Sequence, residues 1–164
     1  MSKFIFITGG ARSGKSGFAL KIAEGFGERK IFVATARITD PEMEERVQRH
    51  RSERGDAWKT FEEPLTLLSR IRSLPEDSDV VVVDCITVFL TNLIIEKRWS
   101  DIQILDEVDG IVSSIRGACC PVIAVSNEVG MGLVPADPLG RRFRDLAGTV
   151  NRKLAASADA VYLV

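Results

Sequence analysis

FIFITGGARSGKS, residues 4–16, is the stretch whose reading decides the fold. Residues 4–8 form a short apolar, β-branched run, which predicts a buried strand. Residues 9–16 then spell G-x-x-x-x-G-K-S, and residues 17–25 (GFALKIAEG) are predicted to continue as a helix. A strand, a glycine loop and a helix in that order are the context a phosphate-binding loop requires. Gly9, Gly10 and Gly14 can take backbone angles that turn successive N–H groups inward around an anion. The helix N-terminus adds a partial positive charge. In such a loop Lys15 reaches the β- and γ-phosphates and the Ser16 hydroxyl ligates Mg²⁺. The plainer alternative is a glycine-rich turn with a chance Lys-Ser; the flanking strand and helix favour nucleotide binding.

Outward from this motif, strand and helix patterns alternate, which predicts an α/β fold with a largely parallel central sheet flanked by helices. Residues 30–35 (KIFVAT) read as a second strand. Asp40-Pro41 reads as a helix start, with Asp40 as N-cap and Pro41 in the first helical position. That helix is expected to pass Met43, Val47 and His50 toward Gly55. Residues 58–61 suggest a short strand and 65–74 a helix. Residues 79–84 are a strand whose valine run suits burial on both faces. Residues 86–97 and 102–116 read as helices and 121–126 as a strand. A loop, EVGMGLVPADP, follows. Leu139, Phe143, Leu146, Val150 and Leu154 then mark one face of a long helix. Residues 160–164 read as a final strand. No repeat, low-complexity tract or linker interrupts the pattern, so residues 1–164 are expected to form a single nucleotide-binding catalytic domain.

With 22 Lys and Arg against 23 Asp and Glu, no basic excess points to a nucleic-acid partner. Three cysteines, two of them the neighbours Cys119 and Cys120, do not make a disulfide framework, and a reducing cytoplasm is expected. The first apolar run is too short for a signal peptide. Polar residues interrupt the longest apolar stretch, 80–95, so no membrane span is expected.

Among the candidate residues, Asp84 closes the run VVVVD. An acid at the end of a hydrophobic strand beside a phosphate loop holds Mg²⁺ together with the loop's Ser; it can also simply cap the following helix. His50 is the only histidine. Helical spacing puts it on one face with Met43 and Val47, between Arg46 and Arg54 and beside Arg49 and Arg51. A neutral imidazole there is a competent nucleophile toward phosphorus, and the arginines would stabilise charge on the transferring phosphate. From spacing alone, a solvated helix with one histidine is the simpler reading. Glu62 and Glu63 could contact a ribose or base, or form a solvated acidic turn. Asn127 and Glu128 follow a strand at the edge where ligands collect in parallel sheets, so residues 127–132 are either binding or turn. Arg141, Arg142 and Arg144 could offer anion contacts, with a solvated face the simpler reading.

Taken together, TGGARSGKS, VATA, the D-x-E-M-x-x-R-x-x-x-H helix, VDCIT with TN, SNEVGMGLVP and FRDLAGTVNRKLAASAD resemble the bifunctional adenosylcobinamide kinase/adenosylcobinamide-phosphate guanylyltransferase family of cobalamin biosynthesis. The resemblance spans essentially the whole chain. It implies a RecA-like P-loop NTPase fold and a homotrimer, with the corrinoid between subunits. It implies that ATP or GTP phosphorylates the aminopropanol hydroxyl of adenosylcobinamide. GTP then guanylylates a histidine, with loss of pyrophosphate, and the GMP passes to adenosylcobinamide phosphate, giving adenosylcobinamide-GDP. The guanylylated histidine falls on His50, which reverses the preference drawn from spacing, and Lys15 is the second catalytic residue. Nucleotide contacts are implied at Gly9, Gly10, Ala11, Arg12, Ser13, Gly14, Lys15 and Ser16, at Ala34, Thr35 and Ala36, at Arg51, Ser52, Glu53 and Arg54, and at Glu62 and Asp84. Mg²⁺ is implied at Ser16 and Asp84.

Overall fold

The computed structural model describes residues 2–37, 44, 45, 48 and 57–164. The predicted helix through Met43, Val47 and His50 lies largely outside them.

Six strands form one sheet: β1 (Phe4–Thr8), β2 (Lys30–Ala34), β3 (Trp58–Glu62), β4 (Val80–Asp84), β5 (Val122–Val125) and β6 (Ala160–Leu163). Their order is β3-β2-β4-β5-β1-β6, and every pairing is parallel. The expectation of a largely parallel sheet is thus met throughout the described residues. Parallel strands are covered on both faces and so read as continuous apolar runs; Val80, Val81, Val82 and Val83 are each fully buried.

The two faces are clothed unequally. Helix α1 (Lys15–Ala23) packs Ala19 and Ala23 against Ile5, Ile7, Val80, Val82, Ile123 and Val125. The opposite face carries α2 (Leu67–Arg72), α3 (Ile86–Ile95), α4 (Asp101–Arg116) and α5 (Pro138–Ser157) over Phe4, Phe6, Val81, Val83, Val122 and Ala124. Strand alternation sorts the side chains between these two cores. Helix α4 begins with a capping box, in which Ser100 accepts from Gln103 N–H and the Gln103 side chain returns to Ser100 N–H. Helix α5 begins at Pro138 with Asp137 as N-cap. Of its predicted apolar face, Leu146, Val150 and Leu154 are buried. Leu139 is not: it is 48 % exposed, on the first turn of α5, where it lines an open groove with Ile94 and Ile95.

Two carboxylates secure the sheet's N-terminal edge. Asp79 accepts from the Arg29 guanidinium at 2.8 Å and from the Arg29 and Glu28 N–H groups, which hold its carboxyl down at about 2. The Phe4 N–H and then the Arg116 guanidinium likewise depress Asp159. Among the described residues, no helix is long and apolar enough to cross a membrane.

Candidate active site

The C-terminal edge of the sheet is where the candidate residues converge. Glu62, Ala34, Asp84, Val125, Ile7 and Tyr162 form one row across the six strands. The phosphate loop therefore leaves β1 level with the end of β4, with only β5 between them. At normal strand spacing Asp84 lies about 10 Å from the β1 backbone. Alternation points Asp84, Ala34 and Glu62 toward the face that α1 covers. Three residues implied to meet a nucleotide thus share a side with the helix that follows the loop.

The loop has the backbone such a cradle needs. Gly9, Arg12 and Gly14 all have positive φ, at 151°, 57° and 94°. At Gly9 the requirement is double, since a Cβ would also sit 1.9 Å from the Val164 carbonyl oxygen. Gly14 is the N-cap of α1 and offers no side chain, and the first turn holds no acid. The N–H groups of that turn and their partial positive charge are accordingly left to an external anion. Residues 10–14 are exposed while Lys15 is buried. Its ammonium donates to the Gly10 carbonyl and, at 3.2 Å, to the Ser13 hydroxyl. The charge is thereby held directly over the concavity. Ser16, in the first turn of α1, is half-buried.

Asp84 is half-buried, and its carboxylate has no hydrogen bond or ion pair among the described residues. The alternative role of capping α3 is not what it does, because the N-cap is Cys85 and no side chain caps that helix. A cis peptide joins Asp84 to Cys85. The oxygen donors of Ser16 and Asp84 suit a hard divalent cation that takes its remaining ligands from water and phosphate.

The other expected residues divide. Thr35 is fully buried with all its polar groups in use: its N–H donates to the Asp84 carbonyl at 3.2 Å, its hydroxyl accepts from Cys85 N–H at 2.8 Å and donates to the Cys85 carbonyl at 2.7 Å, and its carbonyl accepts from the Asn92 amide. It fixes the strand end on which Ala34 and Ala36 sit. Glu62 is exposed. Glu63 is not part of a solvated turn; it pairs with Arg70 at 2.7 Å, its side chain 13 % exposed. Asn127 donates to Thr87, and Glu128 accepts from Gly130 N–H at 2.5 Å while its own N–H reaches the Gly9 carbonyl at 2.8 Å. Residues 127–130 thus buttress the phosphate loop. His50, Arg51, Ser52, Glu53 and Arg54, with Arg46 and Arg49, lie outside the described residues.

Sequence reasoning missed Asn92. Buried on α3, its amide donates at 2.9 Å to both the Thr35 and Pro64 carbonyls, clamping together the ends of β2 and β3. Asn151 does the same for β5, accepting from Ser126 and donating to the Asn127 carbonyl. The available signal was an asparagine within an apolar helical run, a position that must find partners once buried.

The match to known proteins extends over this whole architecture. The family model described as cobinamide kinase / cobinamide phosphate guanyltransferase matches residues 5–164. The chain belongs to this family. It is accordingly a kinase and guanylyltransferase, as its resemblance implied. The bifunctional adenosylcobalamin biosynthesis protein CobU of Escherichia coli K12 is 40 % identical over 98 % of this chain and 94 % of its own length. CobP of Pseudomonas aeruginosa PAO1, described in the same words, is 40 % identical over 94 % and 88 %. In fold, the chain is similar to the RadB recombinase at a TM-score of 0.50 and 18 % identity, covering 86 % of this chain and 70 % of that one. That likeness supports the expected RecA-like P-loop fold.

Proposed function

We propose that this member of the cobinamide kinase / cobinamide phosphate guanyltransferase family first transfers the γ-phosphoryl group of ATP or GTP to the aminopropanol hydroxyl of adenosylcobinamide. It then moves GMP from GTP, through a guanylylated His50, onto adenosylcobinamide phosphate, yielding adenosylcobinamide-GDP and pyrophosphate. The observation that carries this reading is the cradle of residues 9–16, open at the α1 N-terminus and charged by Lys15.

In the first step Lys15 and the loop N–H groups hold the β- and γ-phosphates, and the corrinoid hydroxyl attacks the γ-phosphorus as the bond to the β-phosphate oxygen breaks. In the second, an imidazole nitrogen attacks the α-phosphorus. A P–N bond forms and pyrophosphate leaves; a phosphate oxygen of the corrinoid then displaces histidine. One difficult displacement becomes two easier ones. Arg51 and Arg54, with Ser52 and Glu53, are read as flanking the nucleotide, and Ala34, Ala36 and Glu62 as meeting its nucleoside portion. Ser16 and Asp84 would hold Mg²⁺, which neutralises phosphate charge.

The reading includes a cytoplasmic homotrimer with no nucleic-acid partner. The even charge supports the last point, and the exposed Met131, Leu133 and Val134 supply apolar surface suited to burial in an assembly. GTP labelled at the α-phosphate tests the central claim. Wild type should acquire an acid-labile label; His50→Ala should acquire none while still phosphorylating the corrinoid arm. An ordinary kinase would never label, and a nucleotide-gated switch would bind GTP without turnover. Either outcome in the wild type overturns the proposal.

A further inference from the structure

Three arginines of α5 point at candidate anion chemistry, and the structure separates them. Arg141 spends its guanidinium on the Pro135 and Ala136 carbonyls, at 3.0 and 2.6 Å. Arg142 is bound to Asp101 and to the Trp99 carbonyl, both at 2.7 Å. Arg144 is different. Its Nη2 makes one long contact, 3.4 Å, to the Gly130 carbonyl, and its buried Nε has no partner among the described residues. A buried guanidinium N–H without an acceptor is costly and uncommon. Nε–H and one Nη2–H lie along the same edge of the guanidinium, the edge that takes phosphate bidentately. The second buried polar side-chain atom without a partner among the described residues is Thr8 Oγ1, on the last residue of β1.

Position says which phosphate. Arg144 sits two helical turns before Asn151, on the same side of α5, and Asn151 is anchored over Ser126 and Asn127. The guanidinium therefore overhangs residues 127–130, which are tied to Gly9 through the Glu128 N–H. It approaches the sheet edge from the face that α5 covers, opposite to α1. A triphosphate in the loop is held from the α1 side. Arg144 stands on the other face, where it is free of the phosphates the loop holds and can meet a second one. That side also suits a bulky apolar acceptor. On the same face, a groove of about 310 Å³ between α3 and the first turn of α5 is lined by Ile94, Ile95, Leu139 and Phe143.

We propose that Arg144 is a substrate-contacting residue whose Nε/Nη2 edge binds the phosphate carried by the corrinoid, the product of the first step and the acceptor of the second. This rests on the function proposed above. Binding the anion replaces the long Gly130 contact.

Equilibrium binding tests it, since binding needs no histidine chemistry. Cobinamide and cobinamide phosphate are titrated separately into wild type, Arg144→Ala, Arg144→Lys and Arg141→Ala, with thermal melting of each variant as a folding control. Wild type should prefer the phosphorylated ligand by about 10- to 100-fold, the range for a charge-assisted pair. Arg144→Ala should lose the preference while still binding unphosphorylated cobinamide. Arg144→Lys should restore part of it, and Arg141→Ala, which removes the same charge from the same helix, should retain it. If Arg144→Ala keeps the wild-type preference, or Arg141→Ala loses it equally, Arg144 does not contact the phosphate, and the family function stands unaffected. Wild type that binds neither corrinoid overturns the functional reading and this assignment with it.

Discussion

Removing the Asn92 amide tests whether the active-site edge is held by buried hydrogen bonds or by apolar packing. Asn92 is 8 % exposed and donates from Nδ2 to two carbonyls, both at 2.9 Å. One belongs to Thr35, itself fully buried; the other, Pro64, is half-buried. In Asn92→Ala both acceptors lose their donor, and water reaches only the second with ease. A buried unsatisfied polar group costs about 1–3 kcal/mol, so the pair should cost roughly 2–4 kcal/mol. For a chain of this size that lowers the melting temperature by about 10 °C. Asn92→Asp sharpens the test. Its carboxylate would face two carbonyl oxygens with nothing to donate, so the folded state favours the protonated acid, and the residue's folded pKa is raised. A raised carboxyl pKa adds stability as pH falls. Chemical denaturation at pH 8 should rank wild type above Asn92→Ala above Asn92→Asp. Toward pH 5 the aspartate variant should close on the alanine one, because its protonated carboxyl can donate one of the lost bonds. An alanine variant within about 0.5 kcal/mol of wild type, the size of a neutral surface change, would refute the clamp. So would an aspartate variant that runs parallel to alanine at every pH.

Two further predictions concern the opposite edge. Asp79 titrates at about 2 when folded against an ordinary 3.8, so its contribution is complete above about pH 4 and lost as pH falls toward 2. The denaturation midpoint of Asp79→Asn should therefore fall less steeply than wild type's across that window; equal slopes would mean the Arg29 pairing does not persist in solution. Burial, and then the neighbouring Cys119, push the Cys120 thiol up to about 12, whereas Cys119 is exposed. Mass spectrometry after alkylation at pH 8 should find Cys119 modified first, with Cys120 and the buried Cys85 reacting only on unfolding. Equal rates at Cys119 and Cys120 would contradict the packing described.

What the sequence made legible follows from the range of the interactions involved. The phosphate loop is local: glycines, a lysine and a serine at fixed spacing dictate its backbone, and the structure places them as their order implies. The valine run of β4 and the apolar rhythm of α5 are likewise short-range signals. Strand order was not legible from pattern alone, because nothing between residues 84 and 122 says that β5 inserts between β4 and β1. That insertion brings residues 127–130 against Gly9, where they act as a buttress. Leu139 fits the helical period yet is 48 % exposed, since a period specifies a face but not how far the partner layer covers it. The roles of Thr35 and Asn92 were hidden for a related reason. Each is defined by partners far away in the chain, 28 residues at the nearest, and no local rule connects them.

The distribution of buried polarity gives the site its meaning. Apolar burial is non-directional and tolerates small displacements, whereas a buried hydrogen bond fixes two groups to within tenths of an ångström. This chain concentrates its directional interactions. Among the described residues the buried polar side chains are Lys15, Thr35, Thr87, Asn92, Ser126 and Asn151 at the C-terminal edge, with Ser78 alone at the other end. Together they tie β2, β4 and β5 to α3 and α5. A network of this kind holds its groups in place before a substrate arrives, which is what electrostatic catalysis demands of its dipoles. Against so complete a network, the atoms left out carry information. Thr8 Oγ1 and Arg144 Nε are both buried, both unpaired and both at this edge. Among the described residues, the other buried polar side chains of this edge are hydrogen-bonded. Their common location, on the α5 side of this edge, is what the proposed binding of a phosphate at Arg144 accounts for.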